Sequence, residues 1–175
     1  MEKVIVIAGP TASGKTSLSI ELAKKIDGEI VSADSMQIYK DMDIGTAKVT
    51  KEEMQGIKHY LVDLIEPTKR YTVSDFKKDS ISAIKKILSK GKTPIVVGGT
   101  GLYVNSLIYG IDYHDMEFDL EFRNKLMKQA ESEEGLKELY DEACKLDSKA
   151  MEKISPNDKK RICRIIEIYK ATRKK

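Results

Sequence analysis

Residues 3–21 read KVIVIAGPTASGKTSLSIE, and the reading of this stretch decides the fold. Five apolar residues, Val4 to Ala8, run straight into Gly9-Pro10-Thr11-Ala12-Ser13-Gly14-Lys15-Thr16. The spacing G-x-x-x-x-G-K-[ST] is that of a phosphate-binding loop, which closes a buried strand and opens a helix. Gly9 and Gly14 lack a Cβ, so the backbone can turn sharply and aim its N–H groups at anionic oxygens. The helix opening near Lys15 adds unpaired N–H groups and the positive end of its dipole. Lys15 supplies a mobile point charge, and the Thr16 hydroxyl is a candidate ligand for Mg²⁺. An accidental lysine in a glycine-rich turn would not bring a strand before it and a helix after it. The loop predicts phosphate binding and a parallel α/β core. It does not choose among kinases, nucleotide hydrolases and diphosphate-releasing transferases.

Behind the loop, Leu18, Leu22 and Ile26 recur at helical spacing, and Asp27-Gly28 ends the helix. Glu29 to Ala33 reads as a second strand that delivers Asp34-Ser35-Met36-Gln37 at its carboxyl end, where ligands sit in doubly wound sheets. A carboxylate there can be a helix cap, a Mg²⁺ ligand or an acid/base group, and the residues alone leave all three open. Residues 41–48, DMDIGTAK, are polar and without a clean period, hence a loop or loop-helix segment. His59 to Ile65 reads as a strand stopped by Glu66-Pro67. His59 and His114 each stand alone, which favours a structural or solvent role over metal binding. Asp63 resembles the acid that follows a buried strand in nucleotide hydrolases, but it sits inside the apolar run.

Phe76, Ile81, Ile84, Ile87 and Leu88 predict an amphipathic helix over 74–89, with Ser74 or Thr72 as its cap. Pro94 to Val97 is wholly apolar and so central in a parallel sheet. It feeds Gly98-Gly99-Thr100-Gly101-Leu102-Tyr103 and a helix over 102–107. Two glycines there allow close approach of a ligand to backbone, although a tight strand-to-helix turn explains them more simply. Beyond residue 112 the strands cease. Short helices are expected over 120–130, 135–143 and 148–154. Pro156-Asn157-Asp158 then caps a last helix over 159–174. Ile162, Ile165, Ile166 and Tyr169 mark its apolar face. The other face is basic, with Glu167 its single acid. Such a face is usually just solvated, and it also suits a phosphate backbone. The expected division is a P-loop core over 1–112 and a helical segment over 113–175.

The chain has 175 residues, 41% apolar and 34% charged, with a formal net charge of +3. That composition fits one ordinary globular domain or a core with an appendage. No apolar run approaches the ~20 residues of a membrane span, and Val4 to Ala8 is too short for a signal-peptide core, so a cytoplasmic protein is expected. Cys144 and Cys163 lack metal spacing and read as reduced thiols.

Four motifs fall in one order: GPTASGKT at 9–16, SADSMQIYKDMDIGTAK at 32–48, VGGTGLY at 97–103 and SPNDKKRICRIIEIYKAT at 155–172. Together they closely resemble the tRNA dimethylallyltransferase (tRNA isopentenyltransferase) family over nearly the whole chain. The resemblance implies a P-loop parallel sheet with a helical insertion. The implied reaction is transfer of a dimethylallyl group from dimethylallyl diphosphate to N6 of adenosine 37 in the tRNA anticodon loop. Diphosphate leaves, and Mg²⁺ is the expected cofactor. Residues 9–16 would hold the diphosphate, Asp34 would be the general base for N6, and Thr100 would touch the reacting nucleotide. Ser35, Met36 and Gln37 would line the adenosine pocket. Arg123 and the segment Lys160, Arg161, Ile162, Cys163 and Arg164 would contact the tRNA. The family's proteins are longer than this chain, so the resemblance implies an N-terminal portion, and a monomer at full length. The absent half would supply an arginine for the diphosphate. Without it, an exposed apolar edge is expected.

Three other readings remain. A small-molecule P-loop kinase would need ATP and a lid bearing several arginines, whereas Arg123 is the only arginine over 115–153. An adenylate isopentenyltransferase would use the same donor on free AMP, and the basic helical segment favours tRNA. A portion that binds phosphate or RNA without turnover is the non-enzymatic case.

Overall fold

The computed structural model describes residues 3–111 and 119–172. The chain divides into two compact units, residues 1–114 and 115–175. The first holds β1 (Ile5–Ala8), α1 (Lys15–Ile26), β2 (Gly28–Ser32), α2 (Lys51–Met54), β3 (His59–Tyr60), α3 (Val73–Leu88), β4 (Thr93–Gly98) and α4 (Gly101–Ile108). Its strands form one parallel sheet in the order β1-β4-β2-β3. Parallel strands need crossovers on the faces, and α1 and α3 supply them. Ile30, Ile95 and Val97 pack under Ile20 and Ala23 of α1. On the opposite cluster, Val31 and Val96 meet Phe76, Ala83 and Ile87 of α3. Phe76 stacks on Tyr103 of α4, with ring centroids 4.1 Å apart.

One expectation is corrected here: of the strand expected over 59–65, only His59 and Tyr60 pair with β2, while Ile65 makes a separate parallel bridge with Tyr39. Leu61 and Asp63 take left-handed backbone, φ 60° and 51°, which no strand tolerates. Their neighbours bond elsewhere: Asp63 and Leu64 donate to the carbonyls of Gln37 and Ile38, and Lys40 donates back to Ile65. The helix expected behind the loop forms as α1, which buries Ser19, Ile20 and Ala23, with Leu22 and Ile26 packed against the same cluster and Leu18 exposed.

β1 is an edge strand on which Val6, with Val4 just before it, is exposed; Leu18 of α1 and Leu102 and Ile108 of α4 are exposed as well. The end of the sheet opposite the phosphate loop is held by charge. Glu29 at the start of β2 accepts from Tyr60 Oη at 2.8 Å and from Lys90 Nζ at 2.8 Å. Burial pushes the Glu29 carboxyl up, but Lys90, Tyr60 and Lys92 together hold it below its ordinary value.

The second unit is helical: α5 (Leu120–Gln129), α6 (Glu133–Leu146), α7 (Ser148–Met151) and α8 (Lys159–Thr172). Asp119, Ser132 and Asp147 cap α5, α6 and α7 by accepting first-turn N–H groups. Asp158 does the same for α8 through the Arg161 N–H. Leu126, Leu139, Ala143, Ile162 and Ile166 form the core. Both cysteines are free, and Cys163 is in that core.

Candidate active site

The carboxyl ends of β1, β2 and β4 lie together at one edge of the sheet, the end at which open α/β sheets bind ligands. Three turns leave that edge. The first is the phosphate loop, which needs left-handed backbone at Ala12 (φ 62°) and Gly14 (φ 78°). Gly14 precedes α1 without a side-chain cap, so the first-turn N–H groups of α1 stay available to an anion. Lys15 folds back over its own loop, donating to the Pro10 carbonyl and to Ser13 Oγ. Both are neutral acceptors that an anionic oxygen would displace.

The second turn is 33–37. Asp34 Oδ1 accepts from the N–H groups of Met36 (2.8 Å) and Gln37 (3.3 Å), so Asp34 does cap a turn. That is one of the three roles its residue type allowed, and it occupies one oxygen. Oδ2 accepts no hydrogen bond from the described residues, and Asp34 lines the cleft. Gln37 is fixed by donating Nε2–H to the Ala47 carbonyl, while Met36 is exposed.

The third turn is 98–100. A Cβ at Gly98 would stand 2.1 Å from the Ala33 carbonyl oxygen, so glycine is required by the approach of β4 to β2. This strand-to-strand approach is a third reason for the glycine, beside the ligand approach and the tight turn expected from sequence. Thr100 begins α4 yet makes no cap. Its Oγ1 instead accepts from the Ser35 N–H at 3.0 Å and donates to Ser35 Oγ at 3.3 Å. Thr100 therefore joins the third turn to the second and fixes Asp34's neighbour.

These turns border a cleft lined by Thr11, Lys15, Thr16 and Ser19 on one side and by Ser32, Asp34 and Gln37 on another, with Gly98 and Gly99 at the sheet edge. Two contributions were not foreseen from sequence. Thr46, Ala47 and Val49 form a wall, so DMDIGTAK is part of the site rather than a plain connection. His59 also lines the cleft. Its Nδ1 lies 2.9 Å from the Ile57 carbonyl, which can only accept, so Nδ1 carries the proton and Nε2 is an acceptor. Burial lowers the His59 pKa, with the Ile57 bond opposing it, so the ring stays neutral near pH 7. The expected structural role of His59 is real, and its position in the cleft comes in addition.

Mg²⁺ at a phosphate loop needs oxygen ligands. Thr16 Oγ1 lines the cleft without a hydrogen bond to the described residues. No group of three His, Cys, Asp or Glu converges among those residues. That suits an ion held mainly by phosphate oxygens and water, with Thr16 as its protein ligand.

In the second unit, Lys160 and Arg161 project from the start of α8, with the Arg161 side chain 70% exposed. Ile162 and Cys163, expected to contact RNA, are fully buried. Their side chains build the core of this unit rather than its surface. Glu167, expected on the basic face, is 8% exposed and lies 3.3 Å from Arg123 and 3.1 Å from Arg164. The two arginines are thus fixed by a buried carboxylate.

A glycine-rich loop between a parallel strand and a helix, opening on a cleft at the sheet's carboxyl edge, defines a P-loop protein of the parallel α/β class. The comparisons narrow this class. The IPP transferase family matches over residues 37–175, and the chain belongs to that family. It is similar to the tRNA dimethylallyltransferase of Acetivibrio thermocellus, 55% identical over 99% of this chain and 55% of that protein. Among solved structures it resembles the full-length tRNA isopentenylpyrophosphate transferase of Bacillus halodurans: 44% identity, TM-score 0.65, covering 98% of this chain and 56% of that one. It also resembles a eukaryotic dimethylallyltransferase acting on tRNA: 39% identity, TM-score 0.82, covering 100% of this chain and 43% of that one. The chain spans about half the length of the curated relatives it matches.

Proposed function

We propose that this chain carries the donor-binding and base-accepting machinery of a tRNA dimethylallyltransferase. The reaction moves a dimethylallyl group from its diphosphate to N6 of adenosine 37 in tRNA, in the cytoplasm, within a protein that is monomeric at full length. One observation carries the reading: Asp34, with one oxygen uncommitted, shares a single cleft with Lys15 and Thr16 of the phosphate loop. The bond from N6 to the allyl carbon forms while the bond from that carbon to the diphosphate oxygen breaks. The electron pair of the broken bond leaves with diphosphate. The loop N–H groups and Lys15 meet that growing charge with donors already in place. Mg²⁺ bound at Thr16 would neutralise part of it. Asp34 Oδ2 takes the proton that N6 must lose. Thr100 and Ser35 hold the turn that carries Asp34. The adenine must leave its stack in the anticodon loop to reach this cleft. In the second unit, Lys160 and Arg161, with the fixed pair Arg123 and Arg164, form the surface that meets the tRNA backbone.

The test is Asp34→Asn in a version of full family length. The amide oxygen keeps the cap on Met36 and Gln37, so donor and tRNA should bind as before. Single-turnover transfer should slow by roughly 10²–10⁴-fold, the range for a lost general base. Undiminished transfer would refute the assignment. Tighter binding of ATP than of the allyl donor would favour a kinase.

A further inference from the structure

Lys48 stands in the polar segment that the phosphate-loop reading leaves without a role. Its side chain is only 4% exposed. An ammonium has three N–H donors, and here each has an acceptor. Nζ lies 2.8 Å from the Tyr39 carbonyl, 2.6 Å from Asp63 Oδ1 and 2.7 Å from Asp43 Oδ1. Burial disfavours this charge, but the hydrogen bonds and charges of Asp43 and Asp63 outweigh burial, and its pKa stands above the ordinary lysine value. The three acceptors come from three separate stretches: the end of the Asp34 turn, the start of the 41–48 loop and the bent segment after β3. Two further bonds close the loop on itself and on the site. Thr46 Oγ1 donates to the Met42 carbonyl at 2.6 Å, and the Gln37 side chain donates to the Ala47 carbonyl at 3.0 Å. The neighbours of Lys48 are Ala47 and Val49, which wall the cleft beside Lys15 and Thr16. They also line the adjoining hollow outside the phosphate loop.

From this geometry we propose that Lys48 is a positioning residue for the anion site: its ammonium fixes the wall of Thr46, Ala47 and Val49 and thereby sets the affinity for diphosphate. The inference rests on reading the cleft as a diphosphate site. A wall held by one buried charge is stiff while that charge is paired, and it loses its anchor when the charge is removed. Displacement of a site wall by about an ångström is enough to cost on the order of 10²-fold in function at other sites.

The test titrates inorganic diphosphate with Mg²⁺ into the 175-residue chain, its Lys48→Met form and its Asp43→Asn form, at a temperature where far-UV circular dichroism shows each folded. Methionine keeps the buried stem and removes the charge. Asp43 is 70% exposed, so its change leaves the fold in place and removes only one partner. The expected result is wild-type binding, about tenfold weaker binding by Lys48→Met and a smaller loss in Asp43→Asn, in the range that misplaced groups produce. A merely structural lysine would lower the melting temperature and leave the dissociation constant unmoved, and that result overturns the inference. If Lys48→Met does not fold, Asp43→Asn decides, and an unchanged constant overturns it equally. If the wild-type chain itself ignores diphosphate, the reading of the cleft falls and this inference falls with it.

Discussion

At the scale of single residues, the site is a set of polar groups that do more than one thing. Asp34 caps with one oxygen and faces the cleft as well. Thr100 gives up its helix to hold Ser35. Thr100→Val keeps the shape and removes the hydroxyl, leaving the Ser35 N–H without its acceptor. The expected cost is ~1–3 kcal/mol of stability, with slower transfer, while Thr100→Ser should restore most of both. Thermal melts and single-turnover rates on the pair check this. Lys15→Ala should leave the fold intact, because its present partners are neutral atoms of its own loop. It should weaken Mg²⁺-diphosphate binding by ~1.5–3 kcal/mol, the worth of a charge-assisted hydrogen bond. Equal titration curves would refute the phosphate assignment. Lys15 and Asp34 were both legible in sequence, since each follows the carboxyl end of an apolar run that forms a parallel strand, although β1 proves to be a half-exposed edge strand rather than a buried one. Lys48 and His59 were not. Nothing in DMDIGTAK says that its lysine turns inward, and only strand pairing with Ile30 brings His59 to the cleft.

Among the elements, α8 separates two jobs that the sequence mixed. Its basic residues alternate with apolar ones, and the helix turns Ile162, Cys163 and Ile166 inward and Lys160 and Arg161 outward. Lys160→Ala and Arg161→Ala should each lower tRNA affinity and reduce the slope of log affinity against log salt by about one, the signature of one phosphate contact. Ile162→Ala should instead cost ~2–5 kcal/mol of stability in this unit with an unchanged salt slope. Filter binding across a salt series, with melts alongside, separates the two classes. The four strands were readable as apolar runs, with Gly9 after β1, Gly28 opening β2, and Pro94 and Gly98 near the ends of β4. The exception, residues 61–65, failed for a physical reason: apolar content marks burial, not the partner that takes the hydrogen bonds. Here the partner is the turn after Asp34, so a stretch that reads as sheet becomes a support for the site.

For the whole molecule, two partly buried groups contribute to the response to acid in different parts of the pH range. His59 has a folded pKa below 6.5, so the unfolded chain binds the proton more readily. Stability should therefore fall as pH drops through about 6.5 toward the folded value. Glu29 has a folded pKa below 4.5, so its contribution is full above that pH and is lost as pH falls through the folded value. Melting temperature against pH for wild type and Glu29→Gln should show a gap at neutral pH that closes in the more acidic window. A gap of constant size would remove Glu29 from this account.

The strand order also governs timing. β1 and β2 are both neighbours of β4, with Ile5 beside Ile95 and Ile30 beside Ile95 on the other side. In a nascent chain the phosphate loop emerges before β4, and β1 has no partner in this sheet until residues 93–98 have emerged. Until then only β2 and β3 can pair, and the loop hangs from an unpaired strand. Translation speed across the region encoding α3 and β4 should thus govern how long β1 is open to capture by chaperones.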